Sequence, residues 1–420
     1  MRHHRAFSII SILALLFCLG VMPAWAEFSV QCPPDVDGID TDGDGDVNND
    51  HVCVHLSSGD GFIKMADGRD SYIFGFASHR LANSDPVVFQ PEPGESRPPA
   101  ESIGLPTSEG GLNLGATFPA PTIEVREGQK LYLTLSNVGM LMRPDLFDPH
   151  TVHYHGFPNV ASIFDGLPDS AISINMGFSL TYFYNLVEPG TFMYHCHVEA
   201  TEHMQMGMLG NIYVRPMQDL TDGTDLGYPS YAYNDGDGTT GYHVAKPLQI
   251  HSFDPNFHDA NELVQPLPFA LMHDRYPMFN GRGYPDTLNP DNIANQELYE
   301  AQLMDSIIEV PQGERVLLRL SSLATVDFYT VASPSIPMTV VGQGARILRT
   351  AGETDGVQDL FYTTHSVTLG GGEAKDILLD TTDIPEGTYF IYTTNLNNLS
   401  NDQEDYGGMM TEIVVQAAAL

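Results

Sequence analysis

The stretch His150-Thr151-Val152-His153-Tyr154-His155 is answered downstream by His195-Cys196-His197, then by His203 and Met208. Six of the chain's sixteen histidines lie in this span, together with Cys196. Read as strands, such segments alternate their side chains between two faces. His195 and His197 then point one way and Cys196 the other. His153 and His155 share a face, and His150, an odd number of residues away, takes the opposite one. One face offers Cys196 and His150; the other offers four imidazoles. A Cys, two His and a Met make the donor set of a blue-copper site, a trigonal plane with a weak axial thioether. The H-x-H pairs add a second copper environment, back to back with the first across one strand. Zinc also takes Cys and His. Met208 favours copper, because a thioether is a poor zinc ligand. One histidine alone reads as a hydrogen-bonded core residue, but the joint pattern argues against that here.

The rest of the composition bounds the setting. With 420 residues the chain has room for two or three domains, and 42 % hydrophobic content is ordinary for a globular protein. Residues 1–26 read as a secretory signal: Arg2 and Arg5, an apolar run from Ala6 to Met22, then Ala24-Trp25-Ala26. No later segment is apolar enough to span a membrane. The expected location is periplasmic or secreted. There Cys32 and Cys53 should pair, which leaves Cys196 as a single thiol. The net charge of −36, from 54 acidic and 18 basic residues, argues against nucleic acid and anionic membrane surfaces. It suits a cationic partner such as a basic cytochrome, or simply a solvated surface.

Residues 27–58 read as a separate acidic segment. Asp40, Asp42, Asp44 and Gly45 match the early positions of an EF-hand-type loop, and Asp46 and Asn48 can follow as further ligands. His51 stands where the closing Glu would be, so the helix–loop–helix form fails. The segment is closer to the Asp-rich loops of thrombospondin type 3 and dockerin modules. Carboxylates so close together repel unless a cation neutralises them. Calcium is one expectation and a disordered acidic linker the other.

Beyond residue 60 the chain reads as all-β, with short apolar runs such as 130–135 and 315–320 separated by Gly, Pro, Asn and Asp. It also repeats weakly. Glu124-Val125-Arg126-Glu127-Gly128 returns as Glu309-Val310-Pro311-Gln312-Gly313, and Gly190-Thr191-Phe192-Met193-Tyr194 returns as Gly387-Thr388-Tyr389-Phe390-Ile391. Two related β-sandwich domains are expected, 59–218 and 219–420.

These motifs together resemble the multicopper oxidases, whose domains are cupredoxin-like Greek-key sandwiches. Pro119-Ala120-Pro121-Thr122-Ile123 is similar to their first-domain entry strand, His153-Tyr154-His155-Gly156 to their H-W-H-G motif, and Gly190–His197 to their G-T-x-x-Y-H-x-H segment. The resemblance implies type 1 copper ligands at His150, Cys196, His203 and Met208. It also implies half of a type 2/type 3 cluster at His153, His155, His195 and His197. The seven-residue step from Cys196 to His203 is longer than usual in the oxidases and nearer that of the related copper nitrite reductases. The other half of the cluster is missing. On the repeat, His195, Cys196 and His197 become Tyr392, Thr393 and Thr394, and the other H-x-H pair becomes Ser333-Pro334-Ser335.

The resemblance therefore implies an exported copper oxidoreductase. Its type 1 centre takes electrons from a small molecule, a metal ion or a cytochrome, and passes them through His-Cys-His to a second copper centre. That centre is completed by homo-oligomerisation or by a partner chain, or is a single type 2 copper on a subset of the four imidazoles. A non-enzymatic blue-copper electron carrier is the alternative, and a copper nitrite reductase a lesser one. His153 stands where a nitrite reductase has its carboxylate.

Overall fold

The computed structural model describes residues 31–78, 88–89, 114–221, 225–294, 300–350 and 358–418. The expected signal segment lies outside them. Strand formation follows period-two burial. In Lys130–Asn137, Leu131, Leu133 and Leu135 are fully buried on one face. Burying such a side chain is worth about 1.5–3 kcal/mol, more than the roughly 1 kcal/mol spanned by intrinsic strand preferences. In Arg315–Ser322 the alternation serves two cores at once. Val316, Leu318 and Leu320 enter the main core of the second sandwich, while Leu317 packs on the other side against Tyr233 and Tyr242.

The first sandwich has one sheet in the order Asp70–Ser78, His51–Lys64, Lys130–Asn137, Ser179–Asn185. Its facing sheet runs Ile123–Arg126, Leu209–Arg215, Gly190–His195, His153–His155. Each sheet contains one parallel pair, Val52 opposite Leu131 and Val125 opposite Val214. The second sandwich repeats this wiring. One sheet runs Tyr276–Phe279, Val244–Phe253, Arg315–Ser322, Glu373–Asp380, Met338–Gln343, and the other Ile308–Pro311, Met410–Gln416, Gly387–Thr393, Tyr329–Ala332, Ser366–Leu369. The parallel pairs return as Val244 opposite Val316 and Val310 opposite Val415. The molecule is all-β in architecture, two Greek-key sandwiches with a few short helices.

A third cluster joins the two sandwiches. It brings Phe118, Met193 and Leu209 of the first against Phe253, Met278 and Leu323 of the second. The acidic segment docks on the first sandwich. The Cys32–Cys53 disulfide anchors it to strand His51–Lys64, and Gln129 donates to the buried Asp42 carboxylate at 3.1 Å. Gly128 turns with φ of 91° directly beneath the Thr41 carbonyl, where a Cβ would collide with the docked segment. No helix among the described residues is long and apolar enough to cross a membrane.

Candidate metal centres

Strand Gly190–His195 and the turn after it set the geometry. His153 lies opposite His195 and Tyr154 opposite Tyr194, which brings the two histidine segments side by side. On the inner side, the Cys196 sulfur lies 3.3 Å from His203 Nδ1 and 3.7 Å from His150 Nδ1. His150, Cys196 and His203 are all buried, with donor atoms mutually within 4.8 Å. Met208 is fully buried and tied in by its backbone: its carbonyl accepts from Cys196 N at 3.0 Å and its N–H donates to His203 O at 2.9 Å. Cys196 is the one free cysteine among the described residues.

The opposite side gathers His153, His155 and His195, whose donor atoms also fall within 4.8 Å of one another. His155 Nε2 and His195 Nε2 are 3.0 Å apart. The other nitrogen of each ring meets backbone. His153 Nδ1 faces Asp165 O at 2.5 Å, His195 Nδ1 faces Cys196 O at 2.8 Å, and His155 bonds to the backbone of Gly372. An imidazole that donates from one nitrogen keeps its lone pair on the other, which fixes the tautomer that ligates metal. His197 stands beside this group, its ring 5.0 Å from His153 and 5.6 Å from His195.

Electrostatics agree with a metal-binding role. Burial pushes His155 down to about 4 and His195 to about 3, with neighbouring imidazoles adding repulsion. Both rings are therefore neutral at pH 7. Burial also holds His150 well below its ordinary value. His203 behaves oppositely: burial opposes its charge, yet Cys196, Asp148 and Glu202 outweigh it and lift the ring to about 10. A buried Cys, two His and a Met fit copper. A neutral three-imidazole face fits a copper without thiolate.

Several contributors had no sequence signal. Gly372 comes from the second sandwich, and a Cβ on it would lie 2.9 and 3.1 Å from the His155 ring. Asp148 approaches His203 Nε2 at 3.8 Å. A cavity of about 400 Å³ lined by Glu199, Ala200, Thr201, Glu202 and Phe269 opens beside the helix that carries His203. In the acidic segment, the Asp40, Asp42 and Asp44 carboxylates converge within 4.8 Å, while Asp46 accepts from Asn48 N at 3.0 Å.

Comparison with known proteins places this geometry. Multicopper oxidase family profiles match residues 108–219 and 264–418. The chain is 26% identical over 286 residues to laccase-2 of Cryptococcus neoformans var. grubii, an alignment covering 66% of this chain and 42% of the laccase. It therefore spans less than half the length of that relative. Among solved structures it is similar to the blue copper oxidase of Nitrosomonas europaea, with a TM-score of 0.60, 20% identity, and coverage of 86% of this chain and 85% of that one. The copper nitrite reductase of the same organism aligns with a TM-score of 0.53 and 16% identity, over 87% and 93% of the two chains. With matching profiles over both sandwiches and the His and Cys donors grouped on two sides of one strand, the chain belongs to the multicopper oxidase family.

Proposed function

We propose that this chain is an exported copper-dependent oxidoreductase with two metal centres built by its first sandwich. His150, Cys196, His203 and Met208 hold a type 1 copper. His153, His155 and His195 hold a second copper, with His197 at its edge. The observation that carries the reading is the convergence of two donor sets on opposite sides of one strand, linked by the single peptide unit between His195 and Cys196. Copper, when bound, supplies one-electron redox chemistry. The chain's own part is to fix ligands and tautomers, keep water from the buried thiolate side, and connect the two sets through His195-Cys196-His197.

The electron donor approaches beside His203. Glu199, Glu202 and Asp148 make that end acidic, which favours a cationic donor, either a reduced metal ion or a basic cytochrome. Homo-oligomerisation, or a partner chain, would bring further imidazoles to the His153 face and complete a trinuclear cluster. The second sandwich of the same chain offers only Tyr392, Thr394, Ser333 and Ser335 at the corresponding positions. In the acidic segment we read a calcium ion on Asp40, Asp42 and Asp44, with Asp46 beside it, relieving their repulsion. Chelation would then open 32–53 to protease without removing copper, and an unchanged digestion pattern would discard calcium.

The deciding experiment is copper stoichiometry on the mature protein, with EPR and oxygen uptake on the same sample. Two or more coppers per chain, with a type 2 signal and oxygen consumption, support the oxidase. One copper with only a blue-type signal makes the protein an electron carrier.

A further inference from the structure

We infer that the second sandwich positions the type 1 donor set of the first, and that Gln205 is the positioning residue through which it does so. This rests on the type 1 reading above. His203 and Gln205 share the helix Ala200–Gln205, which has six residues and begins at Glu199 with φ of 45° and no side-chain cap. Isolated helices shorter than about 12–15 residues are marginal in water, so its place is set by what it packs against.

Those contacts come largely from the second sandwich. Gln205 is fully buried, and both ends of its amide are used: Oε1 accepts from Thr325 Oγ1 at 2.7 Å, and Nε2 donates to Asp274 Oδ1 at 3.0 Å. Asp274 in turn accepts from Ser252 Oγ. The His258 ring lies between the carbonyls of Tyr72 and Gln205, at 2.6 and 3.0 Å, and donates to one of them. One turn earlier, Glu202 Oε1 accepts from Asn261 Nδ2 at 2.7 Å. The first sandwich adds the bond from Phe74 N to Met206 O at 3.0 Å. Gln205 stands two positions after His203 and three before Met208. A shift of this amide therefore moves both His203 and Met208, two of the residues that would hold the copper. Losing a hydrogen bond made directly to a metal ligand costs roughly 10–100-fold in metal affinity; Gln205 acts one step further out, through the backbone of the helix, so its loss costs less.

The test uses the full-length, copper-loaded protein. Gln205→Leu removes both amide bonds, and Thr325→Val removes one. Ser321→Ala is the control. Its hydroxyl bonds Asn211 Oδ1 at 2.9 Å, also across the seam but away from the helix. Four properties are read: the visible thiolate-to-copper band, the EPR hyperfine splitting, the reduction potential, and copper affinity by chelator competition. We expect Gln205→Leu to shift the band, splitting and potential and to lower affinity by up to roughly 10-fold, the low end of what a direct ligand partner contributes. Thr325→Val should move them in the same direction by less. Ser321→Ala should lower the melting temperature while leaving all four unchanged. If Gln205→Leu and Thr325→Val match wild type in band, potential and affinity, Gln205 is only structural and the inference fails. Should Gln205→Leu not fold, Thr325→Val alone decides. A wild-type protein with no thiolate band would remove the type 1 reading, and this inference with it, an outcome distinct from a band that is present but unmoved.

Discussion

The strands Gly190–His195 and Gly387–Thr393 are the same structural element built twice with opposite chemical content. Each begins at a glycine of nearly equal φ, 148° and 154°. Near the end of each stands a residue whose N–H bonds a buried methionine carbonyl at 3.0 Å, Cys196 to Met208 just after the first and Thr393 to Met409 at the close of the second. Where the first carries His195, Cys196 and His197, the second carries Tyr392, Thr393 and Thr394. The backbone frame survives complete replacement of the ligands. The frame is therefore held by the cores, and metal chemistry is a property of a few side chains set into it.

The largest expected effect tests that separation directly. Cys196→Ser should abolish the intense visible colour while both sandwiches melt as before and the His153 face still takes up copper. A surviving band would mean that the sulfur of Cys196 is not the ligand. Gly372→Ala comes next. It sets a Cβ against the His155 ring at a φ of 87°, and should weaken the second copper roughly 10–100-fold while sparing the first. Equal copper binding at both centres would show that the second sandwich has no part in holding His155.

Asp274 gives a smaller, pH-dependent effect. Burial raises its carboxyl from 3.8 to about 7; hydrogen bonds from Ser252 and Gln205 act against this, and Asp254 and Asp327 add to it. The folded chain then holds this proton more tightly than the unfolded one. Its contribution to stability falls as pH rises from about 4 to about 7 and is level above that. Asp274→Asn should therefore be more stable than wild type at pH 8 by about 1–2 kcal/mol, with the gap closing toward pH 4. A gap that does not vary with pH would mean that the carboxyl is not titrating there. The smallest effect belongs to the second sandwich alone. Thr393 is fully buried and its hydroxyl has no partner. Thr393→Val should raise the unfolding free energy by about 1 kcal/mol, seen as a higher denaturation midpoint; a lower midpoint would show that the hydroxyl is satisfied.

Much of the first sandwich is legible because its signals are local. Alternation in His153-Tyr154-His155 and His195-Cys196-His197 assigns faces without reference to any other residue. The repeat at Glu124–Gly128 and Glu309–Gly313 anticipates two copies of one topology, down to φ values of 91° and 92° at the closing glycines. The Cys32–Cys53 pair follows from the expectation of an oxidising compartment, with Cys196 set apart by its place between His195 and His197. Gly372, Asp165 and Gln205 were not legible. They act through a backbone carbonyl, a contact distance and an amide, and none of these leaves a spacing pattern.

The sequence by itself determined which side chains can bind metal and which face of a strand each occupies. It also places the H-x-H and His-Cys-His motifs in the first sandwich alone. Side-chain parity and donor chemistry are properties of neighbouring residues, so they are readable along the chain. Only the tertiary structure decided that His155 rests on a glycine more than two hundred residues away, and that the helix bearing His203 is gripped by Thr325 and Asp274. Those relations arise from packing two sandwiches against each other. The free energy of that packing is spread over the whole seam and is encoded in no single motif.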